Sequence, residues 1–244
     1  MQVTFVGSGD AFGSGGRFNT CFRVTSSAAT ILIDCGASSL IAMNRLGIDR
    51  NSIGAIILSH LHGDHFGGLP FFLLECQFVS RRKEPLIIAG PPGLEPRVRQ
   101  ICEAMFPGSS DNRRSFEVHF IEITPHRPLD ICGFVVESLE VIHPSGAPST
   151  GLRLAADGKL LAYSGDTEWT DSIIDIARDA DLFICECYTK DTIVPYHLNH
   201  RLLMEKRPLI TARRMILTHM SSEMLLARDD IETETAEDGL VLTV

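Results

Sequence analysis

An α/β fold, with mixed strand pairing and helices inserted singly, is what this sequence of 244 residues predicts. Three observations lead there. Short segments rich in Val, Ile, Leu and Phe recur along the chain, each bounded by Gly, Pro, Asp or Ser, as strands are. Between them stand isolated stretches of about ten residues with helical spacing. Several strands also run directly into Asp or His, which is how a rigid scaffold presents chemistry.

The elements follow in order. Residues 3–6, 21–24 and 30–33 read as strands, then 38–46 as a helix and 55–58 as a strand. A helix over 70–79, a strand over 86–89 and a helix over 94–105 come next, with Pro70 and Pro92 placed where a first helical turn tolerates proline. Strands over 118–121, 134–141, 152–155 and 160–163 precede a helix over 170–177. A strand over 182–185, a helix over 198–207, a strand over 215–217 and an edge strand over 240–244 complete the chain. The length suits a single domain spanning 1–244, at roughly 100–200 residues per domain.

Composition narrows the class. The apolar fraction of 44% and charged fraction of 22% are those of a globular protein rather than a disordered one. No apolar run approaches the ~20 residues of a membrane span. The start, Met1-Gln2-Val3-Thr4, carries no basic leader, so the expected compartment is the cytoplasm. Seven cysteines without a CxxC pair then read as reduced thiols. Lys and Arg total 22 against 31 Asp and Glu, a net charge of −9. That argues against coating a long polyanion, though bound cations would reverse the sign locally. The pairs Arg81-Arg82-Lys83, Arg113-Arg114, Lys206-Arg207 and Arg213-Arg214 are scattered and read as solvated faces. Neither GxSxG, GxGxxG nor GxxxxGK[ST] occurs.

The strongest signal is Ser59-His60-Leu61-His62-Gly63-Asp64-His65, followed by Phe66-Gly67-Gly68. In a loop leaving a strand, His60 and His62 converge on one side, and Asp64 and His65 turn to a second point. Imidazole and carboxylate suit zinc, iron or manganese rather than calcium. His143, Asp166 and His219 wait at later strand ends. His60, His62 and His143 then serve one metal, and Asp64, His65 and His219 the other. Asp166 bridges, and open positions remain for a water. The glycines at 67 and 68 allow a tight bend before a helix.

This HxHxDH pattern, with His143, Gly165-Asp166, His219, the opening Phe5-Val6-Gly7-Ser8-Gly9-Asp10 and the turn Ile33-Asp34-Cys35-Gly36, resembles the metallo-β-lactamase superfamily from Val3 to His219. The resemblance implies a four-layered αβ/βα sandwich: mixed sheets, helices on the outer faces, and a dinuclear metal-dependent hydrolase site at one edge. Zinc is the default metal, with manganese or iron as alternatives, and members often form homodimers. Within the superfamily, Asp166 and the pair Glu186 and His197 are similar to the tRNase Z-like phosphodiesterase branch. That implies an anionic phosphodiester substrate, RNA among the candidates, and His197 as general acid or anion binder. His200 competes for that role. The basic tRNA-gripping arm of that branch has no counterpart here. In the mechanism so implied, two cations about 3.5–4 Å apart supply a hydroxide nucleophile. Asp64 ligates one cation and orients the nucleophile. Asp34 orients a ligand histidine through its ring N–H. The alternative is a carbon-ester hydrolase, a lactonase or thioesterase, on the same site. Its acyl groove would use Phe12, Phe66, Phe71 and Phe72. Arg17 and Asn19 either line the mouth or form a turn, and Ser145, Ser149 and Thr150 are anion-binding candidates.

Overall fold

The computed structural model describes residues 1–109 and 114–244. Arg113, one of the scattered basic residues, lies outside them. Strands β1 (Gln2–Gly7), β2 (Cys21–Thr25), β3 (Thr30–Ile33), β4 (Ile53–Ile57), β5 (Leu86–Gly90) and β6 (Val118–Glu122) form a sheet with β14 (Val241–Thr243). The order is β14-β1-β2-β3-β4-β5-β6. From β14 to β3 neighbours are antiparallel, and from β3 to β6 they are parallel. The second sheet repeats the plan. Strands β7 (Leu129–Ile131), β8 (Phe134–Glu140), β9 (Thr150–Ala156) and β10 (Lys159–Tyr163) pair antiparallel. From β10, strands β11 (Leu182–Glu186), β12 (Met215–Thr218) and β13 (Glu234–Thr235) continue in parallel.

The helices fall into two sets. α1 (Ser39–Arg45), α2 (Gly63–Phe66), α3 (Leu69–Phe78) and α4 (Leu94–Met105) cover the first sheet. α5 (Ser172–Ala177), α6 (His200–Lys206) and α7 (Ser222–Leu226) cover the second. Three apolar layers result. Val3, Phe5, Ile31, Ile57, Phe134, Leu154, Tyr163 and Ile184 fill the space between the sheets. Leu32, Met43, Ile56, Leu69 and Phe72 lie under the first helices, and Ile173, Phe183, Leu203 and Leu217 under the second. Both faces of the central strands are therefore buried, which is why β4 is a nearly continuous apolar run. Each such side chain contributes roughly 1.5–3 kcal/mol on burial. Helix α4 needs only one stripe, Leu94, Val98 and Cys102 at a spacing of four.

The long elements match the sequence expectation to within about two residues. The differences have local causes. The 198–207 helix begins at His200, because the Asn199 side chain accepts from Leu202 N (2.9 Å) and caps it. His197 thus stands in the preceding loop rather than opening the helix. Pro92 precedes α4, whose N-cap is Gly93. β7 and β13, of three and two residues, carry too little pattern to register. Arg82 corrects the solvated-face reading of its cluster. It is 2% exposed and donates to the carbonyls of Glu84, Pro85 and Arg50. Its guanidinium ties together backbone that no regular element pairs. No helix among the described residues is long and apolar enough to cross a membrane, and all seven cysteines are free thiols.

Candidate metal centre

Parallel strands deliver their carboxyl ends to the same edge of the sandwich. β3 leads to Asp34, β4 to Ser59 and His60, β10 to Asp166, and β11 ends on Glu186. β12 leads to His219, and the β8–β9 connection supplies His143. Crevices outside the carboxyl ends of such strands are the usual binding sites of α/β sheets. Asp34 and His219 adopt left-handed backbone, φ 57° for both. Strain of this kind at non-glycine residues persists only where the surroundings dictate it.

The sheets are joined at this edge by Thr150, whose N–H and hydroxyl both donate to the Ser59 carbonyl (3.0 and 2.9 Å). Gly165 has to be glycine: φ is +62°, and a Cβ would lie 2.5 Å from that Thr150 carbonyl oxygen. Gly67 and Gly68 act differently from expectation. Neither has positive φ. What requires glycine at 68 is contact, since a Cβ there would stand 2.3 Å from the Gly36 carbonyl oxygen.

Two groups of donors face a common space. His60, His62 and His143 form one, and Asp64, His65, Asp166 and His219 the other, each with ligand atoms within 4.8 Å of one another. Oδ2 of Asp166 lies between them. It is 3.2 Å from Nε2 of His65 and of His219, and 3.9 Å from Nε2 of His60 and of His143. Asp64 Oδ2 is 3.2 Å from His65 Nε2 and 3.9 Å from His219 Nε2. Nδ1 of His62 and Nε2 of His143 approach to 3.0 Å.

The distal ring nitrogens are held from behind. Nδ1 of His65 donates to Asp34 Oδ2 (2.7 Å). The Ser59 hydroxyl donates to the same carboxylate (2.8 Å) and touches His60 Nδ1 (3.0 Å). Nδ1 of His143 donates to the Tyr196 carbonyl (3.0 Å), and Nδ1 of His219 meets the Thr20 hydroxyl (3.3 Å). Such contacts fix tautomer and ring orientation, leaving Nε2 free to ligate. Ser59 and Thr20 were missed from sequence, because a serine or threonine beside a motif carries no distinguishing signal.

The donor set fits a divalent cation on two counts. Nε2 of His60, Nε2 of His65 and Oδ1 of Asp166 are buried with no hydrogen-bond partner. A buried polar atom left unpaired costs about 1–3 kcal/mol, so three in one cluster point to a missing partner of opposite charge. The titration pattern agrees. Burial alone would lower the His65 pKa, but Asp166, Asp64 and Asp34 hold it well above the usual imidazole range. Burial opposes ionisation of Asp166 too, yet His219 and His65 keep its carboxyl well below the usual range. Burial lowers His60 well below its ordinary value, and lowers His219 and His143. His60, His143 and His219 are thus held neutral beside an ionised Asp166, as ligation requires, while His65 carries among three carboxylates the proton that a bound cation would displace.

Glu186 and His197 stand together at the side of this cluster. Nδ1 of His197 is 3.2 Å from Oε2 of Glu186, while Oε1 accepts from Thr167 N. The His197 ring lies 4.9 Å from His143 and stacks 5.7 Å from His219, with Tyr188 4.8 Å away on another side. Burial pushes Glu186 up to about 7. Burial would lower His197, but its hydrogen bond to Glu186 outweighs that and raises it to about 9. Of the two, the imidazole is therefore the stronger base and the carboxylate its hydrogen-bond acceptor. His200 is directed elsewhere, with Nε2 3.4 Å from the Thr233 hydroxyl.

Other candidates have structural partners. Arg17 donates to the Ala236 carbonyl and Ser8, and Asn19 bonds Ser38 and the Asp10 carbonyl, so both serve turns. Ser149 donates to the His143 carbonyl (2.6 Å), and Ser145 to the Ala147 carbonyl (3.1 Å). Phe66 and Phe72 are core, 3% and 0% exposed, so they line no acyl groove.

Comparison with known proteins agrees with this geometry. Residues 1–241 match the family described as Anti-Pycsar protein Apyc1. The chain belongs to that family. A ribonuclease Z of Methanosarcina acetivorans is 25% identical, the match covering 95% of this chain and 90% of the relative. The crystal structure of the short form of human tRNase Z superposes with a TM-score of 0.80 at 26% identity, covering 100% of this chain and 99% of that one. A diphosphatase of the PhnP family gives a TM-score of 0.77 at 18% identity, over 100% and 97% of the two chains. The fold is thus the metallo-β-lactamase sandwich, mixed sheets with helices outside, as the sequence predicts.

Proposed function

We propose that this protein is a metal-dependent phosphodiesterase of ribonuclease Z-like chemistry, holding two divalent cations. His60, His62 and His143 would hold one, Asp64, His65 and His219 the other, and Asp166 both. Zinc is the metal assigned, with manganese and iron as alternatives to be tested by loading. The substrate is an anionic phosphodiester, with RNA among the candidates. The observation that carries the reading is the Glu186–His197 pair beside a seven-donor His/Asp cluster. The ribonuclease Z relatives support the same class.

When bound, the cations supply a nucleophile from water at neutral pH and neutralise charge gathering on the phosphate oxygens. The chain's own groups do the rest. Asp64, 11% exposed at its side chain, accepts a hydrogen bond from the attacking water and aligns it. A P–O bond to the water oxygen forms as the P–O bond to the leaving group breaks. The leaving oxygen takes its proton from the His197 imidazolium, whose charge Glu186 balances. Proton transfer of this kind contributes about 10²–10⁴-fold. Core burial of Phe66 and Phe72 removes two walls a carbon-ester hydrolase would have needed.

The test is a rate comparison on zinc- and manganese-loaded protein. Bis(p-nitrophenyl) phosphate should be hydrolysed, and chelation should abolish turnover. His197→Ala should cost about 10²–10⁴-fold on a dinucleoside monophosphate, whose alkoxide leaving group needs a proton, and far less on the activated aryl ester. Turnover of a chromogenic lactone or thioester alone would overturn the reading.

A further inference from the structure

His197 reaches the metal-ligand cluster from the loop of residues 187–199, which joins β11 to α6. The loop is tied at its base, where Tyr188 N donates to the Leu198 carbonyl (2.9 Å) and His200 N to the Thr189 carbonyl (2.8 Å). Beyond that base it meets the site twice. The Tyr196 carbonyl accepts from Nδ1 of His143 (3.0 Å), and His197 pairs with Glu186. Apolar packing does little to hold this stretch in place, since Asp191, Thr192, Ile193, Pro195 and Tyr196 are all exposed. A loop with so little buried surface opens at low cost unless hydrogen bonds fasten it.

Two carboxylates from outside the loop supply those bonds. Oε1 of Glu223 accepts from three successive backbone N–H groups, those of Lys190 (3.1 Å), Asp191 (3.2 Å) and Thr192 (3.4 Å). Nearer the site, Oε2 of Glu168 accepts from Tyr196 N (3.1 Å). Successive N–H groups turned toward one point form a concavity that favours an anion, and a carboxylate makes a stronger acceptor there than a neutral group. Glu223 stands in α7, just after His219, and Ser221 N of the same segment donates to the Tyr188 carbonyl (2.9 Å). The segment that carries one metal-ligand candidate thus also fastens the loop that carries His197. Glu223 is itself exposed and belongs to neither donor group, so its replacement leaves the core and the cluster intact.

We infer, resting on the phosphodiesterase reading, that Glu223 is a positioning residue for the reaction: by clamping the amides of residues 190–192 it holds the loop so that His197 faces the leaving oxygen. Metal-loaded parent, Glu223→Ala and Glu223→Gln are compared on two substrates. One is a dinucleoside monophosphate, whose alkoxide leaving group needs a proton. The other is bis(p-nitrophenyl) phosphate, whose leaving group departs without one. Misplacing a catalytic group by about 1 Å can cost on the order of 10²-fold, so Glu223→Ala should lower kcat on the dinucleotide at least about tenfold. KM should change little, and the aryl ester should be far less affected. Glu223→Gln keeps an acceptor oxygen and should recover part of the loss. Hydrogen exchange reads the clamp without turnover: the amides of residues 190–192 should exchange at least about tenfold faster in Glu223→Ala, with the sheets unchanged. Equal losses on the two substrates, an unchanged kcat ratio between them, or unchanged exchange overturns the inference and leaves the phosphodiesterase reading intact. So does a parent that cleaves the aryl ester and not the dinucleotide. A parent that cleaves neither overturns the phosphodiesterase reading itself, and this role for Glu223 with it.

Discussion

Asp34 shows how one side chain organises several others. Its Oδ2 receives the His65 ring N–H and the Ser59 hydroxyl, and its Oδ1 the Ser59 N–H (2.8 Å). Fully buried in left-handed backbone, it has no route to solvent and no alternative partner. Asp34→Ala should therefore weaken metal affinity by about 10–100-fold, read by competition against a chromogenic chelator. A variant that retains full affinity would mean that the ring orientation of His65 is set by packing alone. Tyr163 makes the opposite case. Its hydroxyl is buried beneath the same site with no hydrogen-bond partner, and an unpaired buried hydroxyl costs about 1–3 kcal/mol. Tyr163→Phe keeps the ring that meets Phe22 edge-on at 5.2 Å. Urea denaturation should find it as stable as the parent or up to about 1 kcal/mol more so. A clear loss would reveal a partner for that hydroxyl, such as a buried water.

The elements explain which parts of the site the sequence could announce. HxHxDH is conspicuous because three imidazoles and a carboxylate within six positions have few structural explanations. His143, Asp166 and His219 are single residues, and what marks them is their place just past strands. Spacing alone could not separate His197 from His200, since both lie near the start of the same short helix. The Asn199 cap decides it, leaving His197 in the loop facing Glu186 and turning His200 toward Thr233. Ser59, Thr20 and the carbonyl of Tyr196 were invisible because their roles depend on which backbone the fold brings close. Gly68 belongs here as well. Its contact with Gly36 packs the start of α3 against the turn that carries Asp34. Gly68→Ala should cost about 1–3 kcal/mol in overall stability and reduce metal loading together with it. Loss of stability with full loading would show that the two turns move independently.

At the level of the whole molecule, the chain concentrates cost where it concentrates function. Seven metal-ligand candidates and Asp34 meet at one edge of two sheets whose other faces are apolar layers. The sheets are linked there by the Thr150–Ser59 hydrogen bonds and by Thr218 Oγ1 and His219 N, which both donate to the Ser8 carbonyl. Carboxylates gathered without a cation repel one another, and orphaned imidazole nitrogens stay unsolvated. Bound cations would remove both penalties and cross-link the sheets, since His60, His62, Asp64 and His65 follow β4 while His143, Asp166 and His219 follow strands of the second sheet. Because the native arrangement is assembled from both sheets, the unfolded chain offers no equivalent site. Stability should then rise with free metal as RT ln(1 + [M]/Kd), about 4 kcal/mol at a thousandfold excess over Kd. Calorimetry across a zinc titration should show the melting temperature climbing with the logarithm of metal concentration, and chelation should return it to the floor. Replacing Asp166 with Asn should flatten that slope more than replacing His62 with Ala, because Asp166 faces both donor groups and His62 only one. A melting temperature indifferent to metal would mean that the cluster does not bind cations tightly enough to serve the proposed chemistry.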